Sequence, residues 1–86
     1  MKKIYKYTIH QEIQALDIPK NSIILSVQNQ NNKICLWALV DTDERIERRF
    51  FMPIATGQDI DFNIDIDLYI GTIQIEQFIW HIFEIN

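Results

Sequence analysis

The sequence predicts an all-β, mainly antiparallel domain: a small barrel or sandwich of five to seven strands, with residues 1–86 forming one unit. Three observations predict it. No segment sustains a helical period. Short runs rich in Ile, Val and aromatic residues recur along the chain, several of them alternating apolar with polar. Two of these runs are joined by Asn31-Asn32, and asparagine tolerates the positive φ of a two-residue hairpin turn.

In chain order, Lys2, Ile4, Lys6 and Thr8 alternate with Lys3, Tyr5, Tyr7 and Ile9, the period-two pattern of a strand. Residues 11–21 break it, with room for an extended piece around Ile13. Asp17 to Asn21 reads as a turn, because Pro19 presets its own φ and pushes Ile18 toward an extended conformation. Residues 22–30 and 33–41 form the Asn31-Asn32 hairpin. That turn pairs Gln30 with Lys33, Val27 with Leu36 and Ser26 with Trp37. A third run, Arg45 to Met52, follows Asp41-Thr42-Asp43-Glu44. A turn at Thr42-Asp43 would set Arg48 across from Trp37, and a β-bulge would move that pairing by one. The last hairpin turns around Ile75-Glu76, which sets Gly71 opposite Trp80 and Tyr69 opposite Ile82. Both of its strands are almost continuously apolar, as expected at a sheet centre or a subunit interface.

Composition limits the function classes. A chain of 86 residues lies near the lower end of what buries a core unaided, and its 48% hydrophobic content must do so by packing. Self-association would bury more, so a homo-oligomer is expected. The single cysteine, Cys35, excludes an internal disulfide. Twelve acidic residues against eight basic ones, a net charge of −4, argue against a nucleic-acid binder, whose affinity comes largely from neutralising phosphates. The start of the chain has a positive end but no apolar h-region, and no run is long enough to span a bilayer. The expectation is a reduced cytosolic protein with no membrane partner.

One stretch has the spacing of a site motif: Asp59-Ile60-Asp61-Phe62-Asn63-Ile64-Asp65-Ile66-Asp67. Asp59, Asp61 and Asn63 match the first ligand positions of an EF-hand loop. Ile64 stands where its sharp turn needs glycine, and Ile70 where its closing glutamate would be. Strict alternation instead predicts a strand with a solvated acidic face and an apolar row on the core. No metal site is expected. His81 lies between Trp80 and Ile82, and His10 is far away in sequence, so a packed, hydrogen-bonded histidine is expected rather than a catalytic one. Cys35, flanked by Ile34 and Leu36, reads as a core thiol. Arg45, Arg48 and Arg49 stand beside Phe50 and Phe51, either as a phosphate-and-ring site or as a strand edge with Arg45 and Glu47 paired in solvent. Ser26, Gln28, Trp37 and, in the register above, Arg48 would share one face that offers amide, hydroxyl, stacking surface and charge; the alternative is that Trp37 is simply a large core residue. No phosphate loop, paired catalytic carboxylates or nucleophile elbow is present, so the expectation is a protein that is not an enzyme and carries no cofactor.

The segments "KIYKYTI", "DIPKNSIILSVQNQNNKICLWALVD", the Gly57 after "FFMPIAT", and "YIGTIQ…FIWHIFE" together resemble a family of short uncharacterised phage and prophage proteins. The resemblance covers nearly the whole chain apart from Asp59 to Asp67. It implies a protein made in the host cytoplasm that acts against host defence. One form would be a homo-oligomer that sequesters a nucleotide-derived immune signal without turning it over. On that reading Gln28, Trp37, Arg48, Tyr69, Thr72 and His81 would contact the ligand. The alternatives are an inhibitor of a host defence protein that uses the acidic row as its contact surface, or an accessory or morphogenesis factor.

Overall fold

The structure is a computed structural model and describes residues 1–85. Seven strands follow in order: β1 (Lys2–Ile9), β2 (Gln14–Pro19), β3 (Ile23–Gln30), β4 (Lys33–Asp41), β5 (Ile46–Ala55), β6 (Tyr69–Ile75) and β7 (Phe78–Ile85). One short 3₁₀ turn, Ile66–Leu68, precedes β6. The strands form two antiparallel sheets, one of three strands in the order β1-β4-β3 and one of four in the order β2-β5-β7-β6. Among the described residues no ladder joins the two sheets, so the architecture is an open sandwich and not a closed barrel.

The core lies between the sheets. Ile9, Ile34 and Leu36 enter it from the three-stranded sheet, and Phe51, Ile73, Ile75 and Ile82 from the four-stranded one. These are alternate residues on their strands, so the sequence periodicity selects the inner face. The sheets approach closely where β3 meets β6. There Asn29 Nδ2 donates to the Gln74 carbonyl at 2.8 Å, and a Cβ on Gly71 would lie 2.7 Å from Val27 Cγ1. An ion pair ties the other end. Arg49 donates through Nε and Nη2 to Glu84 at 2.6 and 2.7 Å, and through Nη1 to the Ser22 carbonyl at 2.6 Å. Its guanidinium also lies over the Phe51 ring.

The first hairpin forms as the sequence predicts. Asn31 and Asn32 take φ of 54° and 62°, and Gln30 pairs with Lys33, Val27 with Leu36 and Ser26 with Trp37. Four expectations are corrected. The turn expected over Asp17 to Asn21 falls instead at Lys20-Asn21, where Asn21 has φ of 64°. Pro19 ends β2 opposite Ile46 and is tolerated because β2 is an edge strand. Arg48 does not pair with Trp37. Both sides of β4 are taken, by β1 and β3, so β5 crosses to the other sheet and Arg48 lies opposite Asp17. The last turn comes one residue later than expected, at Glu76-Gln77, with Glu76 at φ of 55°. This sets Gly71 opposite Ile82, and Tyr69 opposite Phe83 after a bulge. Finally, residues 59–65 are not a strand. Alternation makes a segment able to pair, but here no ladder partner takes it up. Ile60 and Phe62 remain 49% and 37% exposed in place of covering the core.

Pro53 lies inside β5, a strand with neighbours on both sides. The ladder with β2 ends at the Gln14–Phe51 pair, so beyond that point β5 has only β7 beside it and the missing N–H is not needed there.

Candidate functional site

The segment that fails to become a strand covers part of the outer face of the four-stranded sheet. After β5 the chain turns at Thr56-Gly57, and Gly57 supplies the positive φ, 85°, that the turn requires. Three bonds fix this departure. Thr56 N donates to the Ile79 carbonyl at 3.1 Å and Gln58 N to the Ala55 carbonyl at 3.1 Å, while Ala55 N donates to Gln58 Oε1 at 3.0 Å. At its far end Asp65 accepts from Asp67 N at 3.0 Å and caps the 3₁₀ turn.

Between this loop and the sheet lies an open groove of about 400 Å³, within the range of small-molecule sites. Ile54, Phe83, Ile60 and Ile66 supply apolar walls, and Tyr69 and His81 bring polar atoms to it. His81 is half-buried and held at both ring nitrogens. Thr56 Oγ1 is 2.8 Å from Nε2, Thr72 Oγ1 is 2.9 Å from Nδ1, and Thr72 Oγ1 is in turn bonded to Tyr69 Oη. Four side chains from β6, β7 and the loop thus form one hydrogen-bonded row. In a neutral imidazole one nitrogen donates and the other accepts, so the tautomer of His81 fixes the direction of both threonine bonds. A larger hollow of about 540 Å³ lies against the other end of the loop, lined by Asn63 to Ile66, Glu84 and Ile85, and among the described residues it has no such row.

A hydroxyl 2.8 Å from an imidazole nitrogen has the spacing of a nucleophile and its base. Nδ1 meets a threonine hydroxyl, so among the described residues His81 is oriented by hydroxyls on both nitrogens and not by the carboxylate of a catalytic triad. The arrangement is suited to presenting fixed donors and acceptors beside an apolar wall. Among the described residues no group of three or more His, Cys, Asp or Glu side chains is placed to hold a metal ion.

The six residues named from the sequence fall in three places. Tyr69, Thr72 and His81 come together in the hydrogen-bonded row. Gln28 and Trp37 lie on the outer face of the other sheet, where Ser26 is opposite Trp37 and Gln28 opposite Cys35. The sheets stand between them and the groove. Arg48 projects from the outer face of β5 and makes a forked pair with Asp17, at 2.9 and 3.3 Å. It is six residues along the strand from Ile54, about 20 Å at strand rise. The Asp17 carboxyl is held below its ordinary range by the hydrogen bonds from this guanidinium. Pairing within the arginine-rich run therefore falls on Arg48 and Arg49, not on Arg45 and Glu47. Cys35 is buried, as expected for a core thiol. Sequence spacing does not point to Ile54 or Thr56, because the β5–β7 register sets Ile54 opposite His81 and the turn after β5 carries Thr56 to its ring, while Phe83, two residues on, shares the His81 face of β7. The one local signal was Gly57, a lone glycine after an apolar run.

A family model described as a domain of unknown function, DUF7352, matches residues 1–86. No curated protein and no solved structure matches the chain.

Proposed function

The chain belongs to the DUF7352 family, and on the geometry of its groove we propose that it binds a nucleotide-derived small molecule there and sequesters it without turnover. The observation that carries this reading is the row Thr56–His81–Thr72–Tyr69, which opens onto an apolar wall. A base or nucleoside ring needs a flat apolar surface and a few directed hydrogen bonds at its edge, and these residues supply both. No Lys or Arg lines the groove. The ring and sugar are therefore the recognised portion, and the phosphates stay in solvent. The resemblance to phage and prophage proteins supports a setting in the host cytoplasm, with a host immune signal as ligand and a homo-oligomer as sponge.

One observation favours a second reading, an inhibitor that docks on a host defence protein. Ile4, Leu39 and Ile23 form a row across the outer face of the three-stranded sheet, and Ile4 and Ile23 are 61% and 58% exposed beside the half-buried Trp37. On this reading the contact is that face and not the acidic row.

A thermal-shift screen against nucleosides, cyclic oligonucleotides and ADP-ribose derivatives separates the two. A ligand at a hundred times its dissociation constant stabilises the fold by about 2.7 kcal/mol. The groove reading expects a shift with one class, lost in His81→Ala and kept in Arg48→Ala. A flat screen with folded protein would remove the sponge and favour the inhibitor, and capture of a defined host protein by wild type but not by Ile4→Asp would then support it.

A further inference from the structure

The segment Asp59 to Asp67 alternates as a strand does, yet pairs with nothing among the described residues. Its apolar members are only partly used: Ile60 and Ile66 form a lip of the groove and remain 49% and 73% exposed. On the other sheet, β1 is an edge strand that pairs only with β4. Six of its eight residues, Lys2 to Tyr7 apart from the half-buried Tyr7 itself and with Thr8, are exposed. An edge of this kind accepts another strand through its main-chain groups.

The two surfaces match in both rows. On β1, Lys2, Ile4, Lys6 and Thr8 project to the outer face, while Lys3, Tyr5, Tyr7 and Ile9 project inward, with Tyr7 packed on the core and Tyr5 39% exposed. A strand laid beside β1 with its aspartates outward would set Asp59, Asp61 and Asp65 near Lys2 and Lys6. The same placement brings Ile60, Phe62 and Ile64 beside Tyr5 and Tyr7, extending the core by one strand. Lysines on an edge ordinarily prevent pairing, and two β1 edges would repel each other. That repulsion does not act on an acidic strand, so the charge pattern admits one occupant and rejects the other.

We propose that the Asp59–Asp65 segment of one copy, which precedes the 3₁₀ turn, adds as a strand to the β1 edge of a second copy, reciprocally, in a two-fold dimer. The proposal rests on the self-association in the reading above and is independent of what the groove binds.

The test is a charge swap read by native mass at near-physiological salt. Lys2→Glu and Lys6→Glu are combined in one variant, and Asp59→Lys, Asp61→Lys and Asp65→Lys in a second. The wild type is expected at twice the chain mass and each variant alone at the monomer mass, with far-UV circular dichroism unchanged. In an equimolar mixture both contacts regain opposite charges, and the dimer mass returns. Phe62→Asp, which spoils the apolar row and leaves every lysine in place, is also expected to be monomeric. A monomeric wild type would overturn both the proposal and the self-association. A wild-type oligomer that survives in both swapped variants and in Phe62→Asp would overturn this interface and leave self-association standing.

Discussion

At the scale of single residues, the structure turns on close approaches that composition does not reveal. Gly71 is one. Its missing Cβ lets β6 lie against Val27, and Gly71→Ala places that carbon 2.7 Å from Val27 Cγ1. The expected cost is about 1–3 kcal/mol in denaturant unfolding, as for other overpacked cores, and Val27→Ala should relieve much of it in the double mutant. Arg49 and Glu84 are another. Each side chain is only 19% exposed, and the pair closes one end of the sandwich. Arg49→Ala leaves a carboxylate largely out of water and should cost about 3 kcal/mol, whereas Arg49→Met with Glu84→Leu should recover most of it. Tyr7 gives a signature in pH. Burial pushes its phenol above the ordinary value, with Tyr5 adding to the effect. A group whose folded pKa is raised stabilises the fold fully below its unfolded pKa, about 10 for tyrosine, and loses that contribution as pH rises through the folded value. The unfolding free energy should therefore fall more steeply above pH 10 in the wild type than in Tyr7→Phe.

At the scale of elements, what was legible in the sequence depended on whether a local signal fixed the pairing. Asn31-Asn32 did so, since two consecutive residues that accept positive φ leave few other hairpins open. Asn32 at φ of 62° is central to that turn, so Asn32→Ala should cost about 1 kcal/mol while Asn32→Gly does not destabilise. The last hairpin has no such signal. Glu76 carries the positive φ without being a residue that favours it, and strands apolar on both faces lack the alternation that would have fixed their register. Asp59 to Asp67 shows the opposite failure, an alternation without a ladder partner in its own chain. Pro19 misled in a third way, because an edge strand does not require its N–H.

At the scale of the whole molecule, the decisive fact was topological and long-range. β1 occupies the side of β4 that β5 would need for a simple meander, so the chain crosses to a second sheet after Asp41-Thr42-Asp43-Glu44. No local feature of that turn announces the crossing. It separates Arg48 from Trp37 and leaves Gln28 and Trp37 on one outer face, with Tyr69, Thr72 and His81 on the other. The fold class was readable because it needs only periodicity and composition. Tyr69, Thr72 and His81, named through the resemblance, belong to one hairpin and meet only in the register that its turn at Glu76-Gln77 sets, while the remainder required knowing which strands share a sheet.

Ligand binding in the groove beside His81 can be read directly at the histidine ring. The chain holds two histidines, His10 and His81, so a two-dimensional NMR titration with adenosine as the probe ligand carries its own control. Saturable movement of the His81 imidazole and Tyr69 ring resonances, with His10 and the Trp37 indole unmoved, is expected if the groove takes the ligand. Stationary His81 resonances at millimolar adenosine, or movement confined to Trp37, would contradict it.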